Sequence, residues 1–259
     1  MVIAVLGLGE AGSAIALDLV SAGVAVRGFD PAEGAGPDGV ETTGSAAEAA
    51  QGADAVLSLN AAGAAAEAAA SVAPKLSGAA LFADLNTTAP SVKRAVAEVV
   101  AGAGGSFADV ALLGPVPGRG LRTPALASGP GAERFAQIFG ELGMPVTVVG
   151  AEPGEAAARK LARSVFAKGL AASVGEALAA AQRLGCEEWL YGEIERALTE
   201  ADDALLRRLV QGSRQHAARR AEEMAAAVAM LDELDVPPRI AAAAEEWLRS
   251  LRGAAGDDR

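Results

Sequence analysis

Lys160, Ser164 and Lys168 occupy positions i, i+4 and i+8 of the stretch RKLARSVFAKG, with Arg163 beside them. On a helix this spacing places all three on one face. Such a face is unusual in a chain whose formal net charge is −11. The bland account is a solvated amphipathic face. The sharper one is proton transfer, because an ammonium beside a carbonyl or alcohol oxygen can hydrogen-bond it and pass it a proton. Lys160 can act as a base near neutral pH only if desolvation or neighbouring cations favour its neutral form, and Arg163 and Lys168 are such cations.

The second constellation opens the chain. Val2 to Leu6 is a short apolar run; Gly7, Leu8, Gly9, Glu10, Ala11 and Gly12 form G-x-G-x-x-G; a helical pattern follows from Ser13. Each glycine has a mechanical reason. Gly7 permits a tight turn, Gly9 lets backbone approach a pyrophosphate, and Gly12 lets helix and strand pack closely. The helix start offers unpaired N–H groups to phosphates. In a chain with 31 glycines the motif alone says little; strand before and helix after are what strengthen it. Asp30, 18 residues after Gly12, ends a second apolar run, where a carboxylate can accept hydrogen bonds from ribose hydroxyls. That charge would repel a 2′-phosphate, and no arginine follows in DPAEGAGPDGV. NAD is therefore expected over NADP. Arg27, within the strand, is expected to point elsewhere. The opening run is not expected to be a signal peptide, since no Lys or Arg precedes Arg27 and Glu10 and Asp18 interrupt the apolar run.

These groups need elements to hold them. Apolar runs at 2–6, 24–29, 55–59, 80–84, 107–112 and 146–149 alternate with Ala-rich helical stretches. That alternation predicts a doubly wound parallel sheet with helices on both faces. Its strand ends should form a ligand crevice, with Leu59 and Asn60 beside a cofactor ribose. Beyond Pro153 strand signals vanish. The reading is a Rossmann domain over 1–150 and an all-helical domain over 151–259, joined by a helix running from Pro153 to about Leu184. That helix would be roughly 45 Å long, enough to bridge two domains or subunits. The tail from Gly253 is expected to fray.

Composition narrows the partners. The acidic balance argues against nucleic acid or an anionic membrane surface, and no run looks clean enough to span a bilayer. The single cysteine, Cys186, excludes an internal disulfide, suits a cytoplasmic location and is expected as a buried free thiol. With one histidine and no clustered Cys or carboxylate set, no metal site is expected. That histidine, His216, falls in GSRQHAARRAEEM. The plain reading is an exposed helix carrying an Arg219–Glu223 pair at i, i+4. Thr88 before Pro90 reads as a helix N-cap.

Taken together, GLGEAG with Asp30, ADLNTTAP (83–90), FADVALLGPVPG (107–118) and GEAAARKLARS (154–164) resemble the β-hydroxyacid dehydrogenase superfamily, which includes 3-hydroxyisobutyrate and 6-phosphogluconate dehydrogenases. The resemblance covers essentially the whole chain. It is closest to a less characterised branch carrying GPVP, TP, ASG and RSVFxKG motifs and a phosphogluconate-dehydrogenase-like helical domain. It implies an NAD-dependent oxidoreductase acting on a small, anionic carbonyl or secondary alcohol, and a homodimer through the helical domain. Lys160 would be the general acid and base, as the catalytic lysine six residues after a glycine, here Gly154. Ser164 and Asn86 would hold the reacting oxygen. Asn86 and Thr87 would lie beside nicotinamide and substrate. The resemblance would also have His216 close a partner's site, while Arg163 and Lys168, on their own chemistry, are expected to bind a negative group on the substrate.

Two departures bear on the substrate. The family's Ser-Gly-Gly carboxylate turn is here Leu113-Gly114-Pro115, and its asparagine four residues after the lysine is Ser164. Gly114 and Pro115 still fall at the substrate position, but a short hydroxymethyl acid loses its expected partners. An imine reductase, whose relatives usually replace the lysine, and a non-catalytic dinucleotide sensor are the rival readings.

Overall fold

A computed structural model describes residues 1–32, 36–76 and 80–254. Contacts divide the chain into two compact units, Met1–Arg163 and Ser164–Arg259.

The first unit is a sheet of eight strands: β1 (Val2–Leu6), β2 (Ala25–Phe29), β3 (Glu41–Thr42), β4 (Ala55–Ser58), β5 (Leu81–Asp84), β6 (Ser106–Leu112), β7 (Ala125–Ser128) and β8 (Val146–Gly150). Their order is β3-β2-β1-β4-β5-β6-β7-β8. Every pairing is parallel except β6 with β7. Two strands were not legible in the sequence. β3 has two residues, too short for periodicity. β7 reads Ala-Leu-Ala-Ser, and alanine is a weak strand former. The antiparallel β7 makes the sheet mixed rather than wholly parallel.

Alternation along β1 shows how both faces are filled. Ile3 and Val5 join Ile15 and Leu19 of α1 (Glu10–Ser21) and Phe135 and Phe139 of α5 (Ala132–Glu141) in one core. Ala4 and Leu6 join the other core, with residues of α2 (Ala46–Ala50), α3 (Ala65–Val72) and α4 (Pro90–Gly102). The fold is therefore the doubly wound type, with helices on both faces. The order reverses between β1 and β4, and in such sheets ligands bind outside the carboxyl ends of the strands at that switch point.

Helix α6 (Glu155–Leu184) is 30 residues long; its first part belongs to the first unit and the rest to the second. The second unit continues with α7 (Glu187–Thr199), α8 (Asp203–Gln215), α9 (Ala217–Glu233) and α10 (Arg239–Ala254). Its buried core is small: Ala180, Leu231, Val236 and Ala241. Glu176 of α6 accepts the N–H groups of Ile240 and Ala241 at 2.8 and 2.7 Å, capping the start of α10. α10 continues through Gly253 to Ala254, so fraying does not begin at Gly253; residues 255–259 of the tail lie outside the described residues. By length and composition α6 is long and apolar enough to cross a membrane, an exception to the expectation that no run qualifies.

Candidate active site

The glycine turn after β1 is built as its motif requires. Gly7 has φ +94°, and a Cβ there would lie 2.4 Å from the carbonyl oxygen of Leu59. A Cβ on Gly12 would fall 1.8 Å from the Gly7 oxygen, inside the contact between helix and turn. A Cβ on Gly9 would meet nothing within 4 Å. Gly7 and Gly12 are thus required by the fold itself, whereas Gly9 faces open space at the start of α1. Glu10 is exposed and Ala11 half-buried on its first turn, while Leu59 and Asn60 follow β4 beside the turn.

Asp30 closes the turn. Its Oδ2 accepts the Leu8 N–H at 2.6 Å and its Oδ1 accepts the Ala32 N–H at 2.9 Å. The carboxylate lines a cleft of about 460 Å³ with Gly9, Pro31, Thr42 and Thr43, within the usual size range for a small-molecule site. Arg27 is occupied elsewhere: it donates to the Gln51 carbonyl at 2.7 Å and pairs with Glu41 at 3.6 Å. An open Gly9, a carboxylate at the end of β2 and a helix start between them fit a nicotinamide dinucleotide.

The second part of the site follows β5. Thr87 is exposed, and its Oγ1 accepts a hydrogen bond from Lys160 Nζ at 2.8 Å. Asn86 is buried. Its side-chain amide donates to Ser58 Oγ at 2.9 Å and Asp84 Oδ1 at 2.7 Å, and its backbone N–H donates to Asp84 Oδ1 at 2.9 Å. Its Oδ1 has no hydrogen-bond partner among the described residues. Asn86 therefore offers a buried acceptor oxygen, while its amide N–H groups are engaged by Ser58 and Asp84. Thr88 is not the N-cap of α4. That position is Ala89, and Thr88 Oγ1 is buried without a partner among the described residues.

Near the Leu113-Gly114-Pro115 turn, Arg163 Nη1 donates to the Leu113 carbonyl at 3.3 Å. Arg119 was not anticipated; its Nη1 lies 3.4 Å from where a Gly114 Cβ would stand. Ser164 and Lys168 lie on the portion of α6 in the second unit, half-buried and exposed respectively. His216 is exposed at the junction of α8 and α9 rather than within one helix. The turn breaks the expected helical face, although the Arg219–Glu223 pair forms. Cys186 is half-buried, less than expected for a core thiol. Among the described residues no three His, Cys, Asp or Glu side chains cluster as metal ligands do.

Beneath this surface lies a buried ionic set missed in the sequence. Lys93 Nζ is 3.1 Å from Asp84 Oδ2, 3.3 Å from Asp109 Oδ1 and 2.7 Å from the Asp84 carbonyl. Asp109 Oδ2 accepts the N–H groups of Gly154 and Ala157 at 3.1 and 3.0 Å, so it holds the start of α6. Ser128 Oγ donates to that same oxygen at 3.3 Å and accepts the Ala156 N–H at 3.0 Å. Asp84 and Asp109 end or interrupt apolar strands, and Lys93 falls in a helix where a lysine ordinarily reads as solvated. The one available signal was a pair of aspartates in strands whose burial demands partners.

The NAD binding domain of 6-phosphogluconate dehydrogenase matches residues 2–150, and a domain of unknown function (DUF1932) matches residues 181–251. An uncharacterised 28.5 kDa protein of Methanothermus fervidus is 28% identical over 56% of this chain, and the match spans 55% of its own length. The 3-hydroxyisobutyrate dehydrogenase of Pseudomonas aeruginosa is 28% identical over 78% of this chain and 72% of that protein. Among solved structures, a conserved hypothetical protein of Sinorhizobium meliloti is 31% identical, with a TM-score of 0.63 over 100% of this chain and 90% of its own. The Streptomyces aurantiacus imine reductase aligns with a TM-score of 0.79 at 20% identity, over 98% of this chain and 95% of its own, a likeness of fold. With the glycine turn, the acid at the end of β2 and the matched domain in agreement, the chain belongs to the family defined by the NAD binding domain of 6-phosphogluconate dehydrogenase, within the β-hydroxyacid dehydrogenase superfamily, and its cofactor is NAD(P).

Proposed function

We propose that the protein is an NAD-dependent dehydrogenase or reductase of the β-hydroxyacid dehydrogenase type, acting on a small anionic carbonyl compound or secondary alcohol, with Lys160 as general acid and base. The observation that carries the reading is the Lys160–Thr87 hydrogen bond of 2.8 Å at the carboxyl end of β5. It holds an ammonium at the sheet edge where ligands of this fold bind. A bound nicotinamide dinucleotide supplies or takes the hydride. The turn at Gly7, Gly9 and Gly12 would hold its pyrophosphate, and Asp30 its ribose hydroxyls. Asp30 supports NAD over NADP through charge, because a 2′-phosphate would approach a carboxylate.

Lys160 would give a proton to the substrate oxygen in reduction and take it back in oxidation. Thr87 keeps the amine oriented meanwhile. Arg163, which reaches Leu113, and Arg119, beside Gly114, flank the turn that replaces the family's serine turn. A guanidinium fork there suits a carboxylate or phosphate. Ser164 and Lys168 are proposed as a further hydroxyl and cation for the substrate, and His216 as a contact supplied across a homodimer. The domain limits read from the sequence, 1–150 and 151–259, remain the proposed functional division.

The test joins cofactor titration to turnover. Nicotinamide fluorescence should report tighter binding of NADH than NADPH, and a panel of keto acids with a cyclic imine beside them should identify an acidic carbonyl as substrate. Lys160→Met should then lower kcat about 100-fold or more, the size of a general acid–base contribution, with NADH affinity kept. Near-normal turnover in that variant removes Lys160 from the mechanism, and preferred turnover of the imine gives the reductase reading instead.

A further inference from the structure

We infer that Lys93 is a positioning residue for Lys160, clasping the two carboxylates that separately fix the Asn86–Thr87 loop and the first turn of α6. The inference rests on the reading of Lys160 as the proton-transfer group, but the contact it concerns is observable without turnover.

Each carboxylate divides its oxygens. Asp84 gives Oδ1 to the two N–H donors of Asn86 and leaves Oδ2 facing Lys93. Asp109 gives Oδ2 to the N–H groups of Gly154 and Ala157 and to the Ser128 hydroxyl, and leaves Oδ1 facing Lys93. Neither Lys93-facing oxygen has a hydrogen bond of good geometry among the described residues, so both depend on the ammonium charge. Lys93, Asp84 and Asp109 are all 0% exposed. Two carboxylates and one ammonium leave a single negative charge, and the N–H groups of the α6 start on Asp109 compensate it.

An ionic set this deep is poor value for stability, because desolvation cancels most of its attraction and apolar side chains would fill the space as well. Apolar side chains do not fix direction, however. The carboxylate bonds set where α6 starts and which way the loop after β5 leaves the sheet. Lys160 rides on the first element and Thr87 on the second, and their bond requires both to be in register. Without Lys93 two buried carboxylates would face each other, and the loop and the helix start would part.

The chain has four lysines: Lys75, Lys93, Lys160 and Lys168. Reductive methylation with ¹³C-formaldehyde labels accessible amines for NMR and leaves the buried Lys93 untouched; a dimethylammonium keeps its charge and one donor. A Lys160→Arg spectrum assigns the Lys160 signal, and Thr87→Val defines the shift caused by losing the contact. Lys93→Met, with native far-UV circular dichroism, should move the Lys160 signal to the position it has in Thr87→Val and leave those of Lys75 and Lys168 in place. A Lys160 signal that stays at its wild-type position in folded Lys93→Met overturns the inference. So does a Thr87→Val spectrum identical to wild type, since Lys160 then has no such contact in solution. Should Lys93→Met not fold, Asp109→Asn, which keeps the shape and removes one charge, is read by the same two outcomes. NADH titration of the wild-type protein is run alongside, and its failure would strike the cofactor reading while leaving the Lys160 shift to be judged on its own.

Discussion

At the scale of single residues, the three glycines of the turn separate fold from function. Gly12→Ala would drive a Cβ into the Gly7 carbonyl, and Gly9→Ala would add one into open space. Overpacking of the first kind costs about 1–3 kcal/mol or more, whereas the second adds a methyl at the N-cap of α1, where alanine is less favourable than glycine by about 1 kcal/mol or less. Gly12→Ala should therefore lower the thermal midpoint by several degrees. Gly9→Ala should melt closer to wild type than Gly12→Ala and yet bind NADH at least about tenfold more weakly, because its methyl stands where the pyrophosphate must approach. Thermal scans paired with fluorescence titrations check both. A Gly9→Ala protein with wild-type affinity would place the dinucleotide elsewhere. Asp30 was legible for the same reason as the glycines: its chemistry is local and its spacing is fixed by one strand, one turn and one helix. Asn86 was legible as a position, but not the atom it would offer. Which of its atoms are free depends on Ser58 and Asp84, residues brought to it only by the sheet.

At the scale of elements, the placement of Lys160 depends on how α6 begins. Gly154 has φ +100°, and a Cβ there would lie 2.9 Å from the Pro90 carbonyl at the start of α4. Its N–H donates to Asp109. Gly154→Ala therefore meets an unfavourable backbone conformation and a close contact together, and should destabilise the first unit by about 1–3 kcal/mol. Because the shifted helix start carries Lys160, kcat should fall further than the loss of folded protein explains. Denaturant titration with activity corrected for the folded fraction measures this, and a loss confined to stability would show that the α6 start tolerates displacement. The strand–helix alternation and the long helix were readable because hydrophobic periodicity is local. The clasp of Asp84, Lys93 and Asp109 was not, since each residue taken alone is an ordinary polar residue. Only the register of β5 beside β6, with Asp84 opposite Asp109, shows that they meet.

At the scale of the whole molecule, the second unit has more apolar surface than it can cover by itself. Val165 is 76% exposed, Phe166 68% and Trp189 65%, with Tyr191 and Trp247 also exposed. An apolar cleft of about 460 Å³ between α6, α7, α9 and α10 includes Trp189, Met224 and Met230. Only 11% of the most apolar window of α6 is buried. A helix so apolar is normally covered by protein or lipid, and exposed patches of this kind mark an interaction surface. The bond from Glu176 to α10 favours protein, since it ties the apolar part of α6 into a helical bundle through a charged side chain. The expected cover is a second copy of the same chain, as the superfamily resemblance implies. Light scattering of purified protein at micromolar concentration, without detergent, should give twice the chain mass of 25.7 kDa. Phe166→Asp should weaken that assembly strongly, because a carboxylate would be buried unpaired in the interface. The Gly7–Gly12 turn lies in the other unit, so NADH binding to its glycine loop should persist in this variant. A wild-type chain that stays monomeric, or that disperses only in detergent, would assign the apolar face of α6 to a different partner.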